Sequence, residues 1–273
     1  MKFEDIYNPI KDDLNLMEKE LKGVCGNLST NYLQEIIEYF FKIPGKRLRP
    51  TLALLSAGIV NNNLPKSTHG QLIRFAAGIE LMHSASLIHD DVIDGDLFRR
   101  GQKTISKIYG KKIAVLVGDV VYSLAFSTIA NSLPKEFEKI IVDLTEYMCA
   151  AEIIQADNNS PTREIYLNVI NGKTALFMSV SCKIAAELAG ATKKQITSIE
   201  EYGLNLGMAY QIMDDCMDKD INSRLNITVD DAKLYGDRAI DSLNAFEDSS
   251  YKISLINLVN FILSLSHAKA SAS

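Results

Sequence analysis

Apolar residues recur at helical spacing through almost the whole chain, and prolines interrupt this pattern at only six positions. The prolines stand at residues 9, 44, 50, 65, 134 and 161, mostly where helices would start or stop. The alternation of apolar and polar residues that marks β-strands is almost absent. The pattern therefore predicts ten helices, over residues 2–22, 29–42, 49–62, 67–94, 104–131, 135–157, 162–190, 193–219, 229–247 and 251–266.

These segments predict an all-α protein, built as a single large helical bundle of about ten helices. No short repeat or low-complexity tract divides residues 1–273, so we expect one domain. The segment Ile113 to Ala130 comes closest to a membrane span, but it contains Asp119, Gly118 and Tyr122. We expect this helix to be buried on all sides, and no transmembrane segment.

The composition excludes several classes of protein. Apolar residues make up 47% of the chain, which excludes wholesale disorder. The net charge is 29 − 34 = −5, which argues against a general nucleic-acid binder. The four cysteines are far apart and form no Cys-x-x-Cys pair, as expected in a reducing cytosol. With no signal-peptide pattern at Met1–Asp5, we expect a cytoplasmic protein.

Two apolar helices each end in the pattern Asp-Asp-x-x-Asp. The six aspartates are Asp90, Asp91, Asp94, Asp214, Asp215 and Asp218. The first and last members of each cluster lie about 40° apart on one helix face, where like charges repel. A bound cation would compensate this repulsion, and hard oxygen ligands without His or Cys suit Mg²⁺. For one cluster alone, a solvated helix end is an equally good interpretation, but two identical clusters favour a metal site.

Cationic residues cluster at three places that could bind phosphate. They are Lys46, Arg47 and Arg49 after Gly45, Arg99 and Arg100 after the first aspartate cluster, and Lys173 beside Thr174. Arginine binds phosphate oxygens through paired donors, whereas lysine acts as a point charge. A P-loop is excluded because position 167, where that motif needs glycine, is Leu167. Each cluster alone would more often be a surface charge patch, so the interpretation depends on their occurrence with the aspartates.

The motifs resemble a known family, the trans-isoprenyl diphosphate synthases, or polyprenyl synthetases. The segment from His83 to Gly101 resembles their first aspartate-rich region, and the segment from Gly207 to Asp218 resembles the second. Further landmarks match in order: Gly45 to Pro50, Gly118 to Ser123, Glu152 with Gln155, and Gly172 to Ala175. The resemblance covers residues 1–220. It implies the isoprenoid synthase fold around a central substrate cavity, and a homodimer.

The resemblance also implies a chemistry, in which Mg²⁺ helps an allylic diphosphate to leave and isopentenyl diphosphate attacks the resulting cation. The metal ligands would be the six aspartates. Isopentenyl diphosphate would bind Lys46, Arg49, His83 and Arg100, and the allylic side would involve Arg99, Lys173, Thr174 and Gln211. Asp90, Asp94, Lys173, Gln211 and Asp214 would take part directly in catalysis. His83 could instead be an ordinary core histidine, and we interpret His89 as structural.

The chain departs from the family pattern after Asp218. The family usually continues through a glycine-rich loop, whereas Lys219 to Asp231 leads directly toward a C-terminal helix, so we predict a domain shortened after residue 220. Two alternatives stay open. The protein could be a non-catalytic or weakly active subunit of a hetero-oligomeric synthase, which the shorter segment favours. It could also be a terpene cyclase on the same fold, which the retained Gly45–Pro50 motif opposes.

Product length would depend on the helix before Asp90. Positions four and five before it lie about 6 to 7.5 Å deeper and are Ser86 and Ala85, which are small, while Met82 lies one turn further. Small residues keep a channel open, so we predict a product longer than about fifteen carbons, in the range of about thirty to fifty. Such a lipid product leads us to expect peripheral contact with a membrane.

Overall fold

The computed structural model describes residues 3–26, 28–157, 161–218 and 225–270, with the side chains of residues 3, 4, 218 and 266–270 excepted. The predicted all-α fold is confirmed. Within these ranges the α-helices are α1 (Lys11–Cys25), α2 (Asn31–Phe41), α3 (Leu48–Val60), α4 (Lys66–Ile93), α5 (Ile105–Tyr109), α6 (Lys111–Ala130), α7 (Glu138–Asp157), α8 (Arg163–Ile170), α9 (Leu176–Leu188), α10 (Lys193–Asp218), α11 (Val229–Ser242) and α12 (Ser250–Ala270).

Several of the predicted helices are not continuous α-helix, and three of them have interruptions of different kinds. The segment 104–131 is divided at Gly110, whose φ of 87° lies in the left-handed region that glycine tolerates and other residues do not. The segment 162–190 contains a π-helical turn, Asn171–Ala175, between α8 and α9. The segment 2–22 begins as a 3₁₀-helix, Phe3–Ile10, which contains Pro9, and becomes α-helical only from Lys11. The predicted shortening after residue 220 falls on residues 219–224, which lie outside the described ranges.

A small hairpin follows α4 and was not predicted. Strand β1 (Phe98–Arg99) pairs antiparallel with β2 (Gln102–Lys103). The two turn residues, Arg100 and Gly101, have φ values of 53° and 77°, as a type I′ turn requires. The sequence gives no alternation here because each strand has only two residues. The hairpin matters because it carries two of the predicted site arginines.

The backbone divides into two compact units. We call them the Asp90 unit, which contains Lys11–Thr51 and Lys66–Pro134, and the Asp214 unit, which contains Met1–Ile10, Leu52–Pro65 and Lys135–Ser273. The first Asp-Asp-x-x-Asp cluster, with the cationic clusters before and after it, belongs to the Asp90 unit. The second cluster, Lys173 and Thr174 belong to the Asp214 unit.

The Asp90 unit is built on the antiparallel packing of α4 against α6. Two glycines allow the close approach. A Cβ at Gly78 would lie 2.5 Å from Cγ1 of Ile129, and a Cβ at Gly118 would overlap the imidazole of His89. The His89 Nε2 atom also lies 3.1 Å from the carbonyl oxygen of Val115. The packing role that the sequence analysis gave to His89 is therefore visible in the structure.

Helix α6 is buried on one face only, and the prediction that it is buried on all sides was wrong. Its buried residues recur every three or four positions, at Ala114, Val117, Gly118, Val121, Ala125, Thr128 and Ile129. On the other face, Val115 is 41% exposed and Leu116 is 53% exposed. By length and composition α6 is the one described helix that could cross a membrane, which is weak evidence for a span.

In the Asp214 unit, α10 is the central helix and packs against α9, α11 and α12. Helix α10 packs closely against the π turn Asn171–Ala175, because a Cβ at Gly207 would lie only 2.5 Å from Cα of Ala175. The buried Tyr202 hydroxyl donates to the carbonyl oxygen of Leu255 over 2.9 Å. This hydrogen bond satisfies the polar end of one of the largest buried side chains and links α10 to α12.

We predict that Gly118→Ala destabilises the protein, although alanine is the better helix former. The added methyl overlaps the His89 ring, and overpacking of this kind costs about 1–3 kcal/mol. Denaturant unfolding should detect the loss. Gly23→Ala is the matched control because a Cβ at Gly23 meets no atom within 4 Å, so this variant should be at least as stable as the wild type. Equal effects of Gly118→Ala in the wild type and in a His89→Ala background would contradict the explanation.

Candidate active site

The first aspartate cluster stands at the end of α4, and its three carboxylates have different surroundings. The N–H of Asp94 donates to the carbonyl oxygen of Asp90 over 2.8 Å, so the two residues are one helical turn apart. Asp90 is partly buried and Asp94 is exposed, whereas Asp91 is buried. The Oδ1 atom of Asp91 accepts a hydrogen bond of 2.6 Å from Nε of Arg99. Burial raises the pKa of Asp91, and the charge of Arg99 opposes that rise.

The donor set at this helix end fits Mg²⁺. Asp90 and Asp94 offer hard oxygens one turn apart, and Mg²⁺ commonly takes only one or two carboxylates, with water or phosphate completing its shell. In the described part of the chain, no three His, Cys, Asp or Glu side chains form a preformed cage. The predicted metal role of Asp91 stays a prediction, and the structure pairs this residue with Arg99.

The β1–β2 hairpin brings Arg100 against the segment that contains Lys46. A Cβ at Gly45 would lie 2.5 Å from Nη2 of Arg100, and Nη1 of Arg100 lies 3.4 Å from the carbonyl oxygen of Ile43. Any side chain at position 45 would force this guanidinium to shift. The predicted phosphate ligands Arg100 and Lys46 therefore lie in one neighbourhood, with Arg49 in the first turn of α3.

A buried ion-pair network holds the cationic segment on α4. Arg47 has a φ of 53°, and its guanidinium bridges two helices. Its Nη1 donates to Oε1 of Glu80 on α4 over 2.6 Å, and its Nε donates to Oε1 of Glu18 on α1 over 2.5 Å. The side chains of Arg47 and Glu80 are 10% and 4% exposed. Burial raises the pKa of Glu80, while Arg47 favours its charged form.

His83 lies one helical turn beyond Glu80 on α4 and is partly buried. Burial is the main reason why its pKa is lowered well below the ordinary value of 6.5. The charges of Arg49, Arg100, Arg99 and Arg47 lower it further. His83 is therefore a neutral imidazole in cationic surroundings at pH 7, and it can donate one hydrogen bond without adding a positive charge.

In the Asp214 unit, Gln211 and Asp215 form a chain of hydrogen bonds. Oγ1 of Thr174 donates to Oε1 of Gln211 over 2.9 Å, and Nε2 of Gln211 donates to Oδ1 of Asp215 over 2.8 Å. The hydroxyl of Tyr166 on α8 donates to Oδ2 of Asp215 over 2.7 Å. The chain fixes the orientation of the Gln211 amide. Asp214 is exposed.

Lys173 and Thr174 both lie on the π turn and contact different helices. Nζ of Lys173 lies 2.5 Å from Oε2 of Glu152 and 3.4 Å from Oε1 of Gln155, both on α7. Thr174 contacts Gln211 on α10. A π turn inserts an extra residue into a helix and is frequent at functional sites. The turn thus connects the predicted lysine to one helix and the predicted threonine to another.

The structure groups most of the predicted residues within one unit or the other. Lys46, Arg49, His83, Arg99 and Arg100 lie in the Asp90 unit with Asp90, Asp91 and Asp94, whereas Lys173, Thr174, Gln211, Asp214 and Asp215 lie in the Asp214 unit. The side chain of Asp218 lies outside the described part of the chain.

The sequence analysis missed Glu80 and Tyr166 as site-supporting residues, and it grouped Arg47 with the possible phosphate ligands rather than with Glu80. Glu80 could have been noticed, because it is an isolated acid within an apolar helix that needs a buried cation as partner. Tyr166 precedes Lys173 by two helical turns, which is too weak a signal to single it out.

Comparisons with known proteins agree with these observations. A family model described as Polyprenyl synthetase matches residues 30–224. The short chain isoprenyl diphosphate synthase of Methanothermobacter thermautotrophicus is 31% identical over 221 residues, which cover 78% of this chain and 66% of that protein. The octaprenyl diphosphate synthase of Haemophilus influenzae is 36% identical over 213 residues, which cover 76% of this chain and 63% of that protein. The chain spans about half to two thirds of the length of such relatives.

A solved structure has the same fold. The polyprenyl synthase of Caulobacter crescentus, crystallised with calcium and isoprenyl diphosphate, matches with a TM-score of 0.88 and 22% identity. The match covers 96% of this chain and 98% of that one. At this level of identity the likeness demonstrates the fold, which agrees with the predicted isoprenoid synthase architecture.

We predict that Arg47→Met destabilises the protein by about 3–5 kcal/mol, because Glu80 would keep a buried charge without its partner. The double variant Arg47→Met, Glu80→Leu should recover most of this loss, and denaturant unfolding measures both. Lys139→Gln is the control, since it breaks an exposed ion pair with Asp143 and should change stability little. A double variant no more stable than Arg47→Met would contradict the assignment of the loss to the buried charge.

Proposed function

Because the chain belongs to the polyprenyl synthetase family, we propose that it is a trans-prenyltransferase. It would condense isopentenyl diphosphate with an allylic diphosphate to give a linear polyprenyl diphosphate. One observation carries the proposal. The β1–β2 hairpin holds Arg99 against Asp91 at the end of α4, and it holds Arg100 against the segment that contains Lys46. Carboxylates and cations are therefore neighbours there. A site for a divalent metal and a diphosphate needs both kinds of group. The names of the relatives support the same reaction.

The metal that we propose is Mg²⁺. The Caulobacter crescentus protein was crystallised with calcium, which supports a divalent cation in the family. Asp90 and Asp94 at the end of α4 would hold one such ion, and Asp214 near the end of α10 would hold another. When bound, Mg²⁺ neutralises the negative charge of the diphosphate that leaves the allylic carbon.

The cationic residues of the Asp90 unit would bind isopentenyl diphosphate. Lys46, Arg49 and Arg100 supply positive charge, and Arg100 can present two donors to phosphate oxygens. The neutral His83 adds a donor. Because Arg47 is occupied by Glu18 and Glu80, its task is to hold the segment rather than to bind substrate.

On the allylic side, we propose that Arg99 and Lys173 bind the diphosphate and that Gln211 contacts the substrate through an amide fixed by Thr174 and Asp215. The allylic carbon–oxygen bond breaks, and a carbon–carbon bond forms to the double bond of isopentenyl diphosphate. The proton lost from the product goes to the released pyrophosphate. Every bond and proton is thereby accounted for without a protein base.

For product length, we propose more than about fifteen carbons, in the range of about thirty to fifty, with the chain passing Ser86 and Ala85 about 6 to 7.5 Å from Asp90 along α4. Ala85 and Met82 are fully buried, and Oγ of Ser86 donates to the carbonyl oxygen of His83 over 2.8 Å. The bonded Ser86 hydroxyl does not repel an apolar chain as an unsatisfied one would. The relatives include short-chain and long-chain enzymes, so their names alone favour no length.

We also propose a homodimer that forms through the outer face of α6. Val115 and Leu116 lie on that face and are about half exposed. Exposed apolar residues at adjacent positions on a long helix are typical of a surface that a partner covers. A second copy of the chain is the partner that we propose, because a twofold dimer buries the same face of both subunits.

The compartment that we propose is the reducing cytoplasm. All four cysteines, Cys25, Cys149, Cys182 and Cys216, carry free thiols. Burial raises the pKa of Cys25 and of Cys182 to about 12, which keeps both thiols protonated and unreactive.

We predict that Asp90→Ala and Asp214→Ala each lower turnover about a thousandfold or more, because each removes a carboxylate from a Mg²⁺ site. The assay is incubation with isopentenyl diphosphate, an allylic primer and Mg²⁺, followed by chromatography of the products. Asp143→Ala, on the exposed surface of α7, is the matched control. Near-normal turnover of Asp90→Ala would refute the metal assignment. A wild-type protein inactive with every primer would refute the catalytic proposal.

We predict that Ala85→Phe shortens the product without abolishing the first condensation. The ring would close the channel that we propose beside Ala85, which is fully buried. Products are compared by chain length under matched substrate concentrations. Ala130→Phe adds the same ring at an exposed position and should leave the distribution unchanged. An unchanged product distribution for Ala85→Phe would mean that the growing hydrocarbon chain does not pass Ala85.

We predict that the wild type is a dimer at micromolar concentration and that Leu116→Glu shifts it to a monomer, since a carboxylate would be buried in the interface. Light scattering coupled to size exclusion measures the mass. Ile253→Glu changes a residue on α12 that is similarly exposed and should have no effect. A monomeric wild type, or an Leu116→Glu variant that stays dimeric, would count against an interface at α6.

A further inference from the structure

A concave surface lies in the Asp90 unit, at the end of α4 opposite to the aspartates. This groove has a volume of about 800 Å³ and is formed by α1, the first turns of α4 and the last turns of α6. Pockets of this volume commonly hold small molecules. Arg74 in the groove is sixteen residues from Asp90, which is about 24 Å along the helix. The groove therefore shares no residue with the candidate active site.

The walls of the groove combine two kinds of surface. Apolar side chains come from all three helices, with Leu16 on α1, Ile73 on α4 and Leu124 on α6. Positive charge comes from Lys19, Lys66 and Arg74, and the only acidic residue in the lining is Glu20. An occupant that satisfies both kinds of surface needs an anionic group and an apolar part.

The three cations are available to a ligand. Within the described ranges, none of Lys19, Lys66 and Arg74 takes part in an ion pair, although many other lysines and arginines do. His69 differs from them because its Nε2 lies 2.7 Å from Oδ1 of Asp13. With Glu20 as the one acid in the lining, the three cations leave the groove with an excess of positive charge in a chain whose net charge is −5.

The start of α4 adds to the positive potential. The first turn of this 28-residue helix contains no acidic residue of its own, so its free N–H groups and the positive end of its dipole favour an anion. The nearest carboxylate described there is Asp13 of α1, which contacts His69. Nη1 of Arg74 would lie 3.6 Å from a Cβ at Gly70, so the guanidinium lies toward the N-terminal end of α4. The space beside Arg74 and Lys66 is therefore the most favourable place in the groove for an anion.

We propose that the groove binds an amphipathic phosphate ester. Its phosphate would contact Arg74 and Lys66, and its hydrocarbon chain would lie against Leu16, Ile73 and Leu124. Two sources share this chemistry, namely a phospholipid that remains in a bilayer and a soluble isoprenyl or alkyl phosphate. The inference goes beyond the proposed prenyltransferase activity and does not depend on it.

The primary experiment measures binding of dodecyl phosphate, below its micelle concentration, by titration calorimetry. EDTA is present to remove divalent metal, so that metal-dependent diphosphate binding elsewhere does not contribute. Dodecyl phosphate should bind at least about tenfold more tightly than inorganic phosphate, because only the ester also buries apolar surface. Equal affinity for the two ligands would overturn the proposal.

Two variants locate the binding in the groove. Gly23→Leu fills the groove from α1, and it should fold normally because leucine favours a helix and the Cβ at this position meets no atom within 4 Å. Arg74→Gln removes a cation and retains most of the side-chain volume. Each should weaken dodecyl phosphate binding at least about tenfold. Lys194→Gln, an exposed lysine on α10, is the control and should bind as the wild type does.

Vesicle flotation distinguishes the two sources. Binding to phosphatidylglycerol vesicles but not to phosphatidylcholine vesicles, lost in Gly23→Leu, would identify a bilayer phospholipid. Binding of dodecyl phosphate with no vesicle binding would identify a soluble ester. If Gly23→Leu and Arg74→Gln bind dodecyl phosphate as tightly as the wild type does, the groove is not the site and the proposal fails.

Discussion

The ion pair between Arg47 and Glu80 determines where the cationic segment lies on α4. Glu80 is buried in the middle of that helix, and a buried carboxylate is stable as an anion only with a partner such as Arg47. The partner is the residue between Lys46 and Leu48, so its position also sets the positions of its neighbours. Without this anchor, the segment would be a surface loop with several like charges, and repulsion would favour its detachment.

The arginines near His83 have an electrostatic consequence for the site. Arg47, Arg49, Arg99 and Arg100 all act on His83, and they all disfavour its charged form. The site thus concentrates positive charge where it is permanent, on guanidinium groups, and keeps the imidazole neutral. An anion that enters meets a field that hardly varies with pH over the physiological range, because arginine does not lose its proton there.

The sequence was sufficient to predict the helices and the chemical character of the helix ends. Both depend on neighbouring residues, through periodicity in one case and a repeated Asp-Asp-x-x-Asp pattern in the other. It was insufficient for partners far apart in the chain. Arg47 and Glu80 are separated by 33 positions and Tyr166 and Asp215 by 49, and no local pattern connects such residues. The prediction that α6 is buried on all sides was wrong for a related reason, because an apolar composition does not reveal whether one face of a helix or every face is covered.

The π turn at Asn171–Ala175 has a consequence for comparisons between sequences. An extra residue in a helix turns everything after it by about 100° relative to everything before it. Lys173 and Thr174 meet Glu152 and Gln211 only in this register. A relative that lacks one residue between α8 and α9 would therefore differ in more than length. Its residues could still align with Lys173 and Thr174, but their side chains would contact different helices. A single-residue gap at this point of an alignment therefore indicates a changed site.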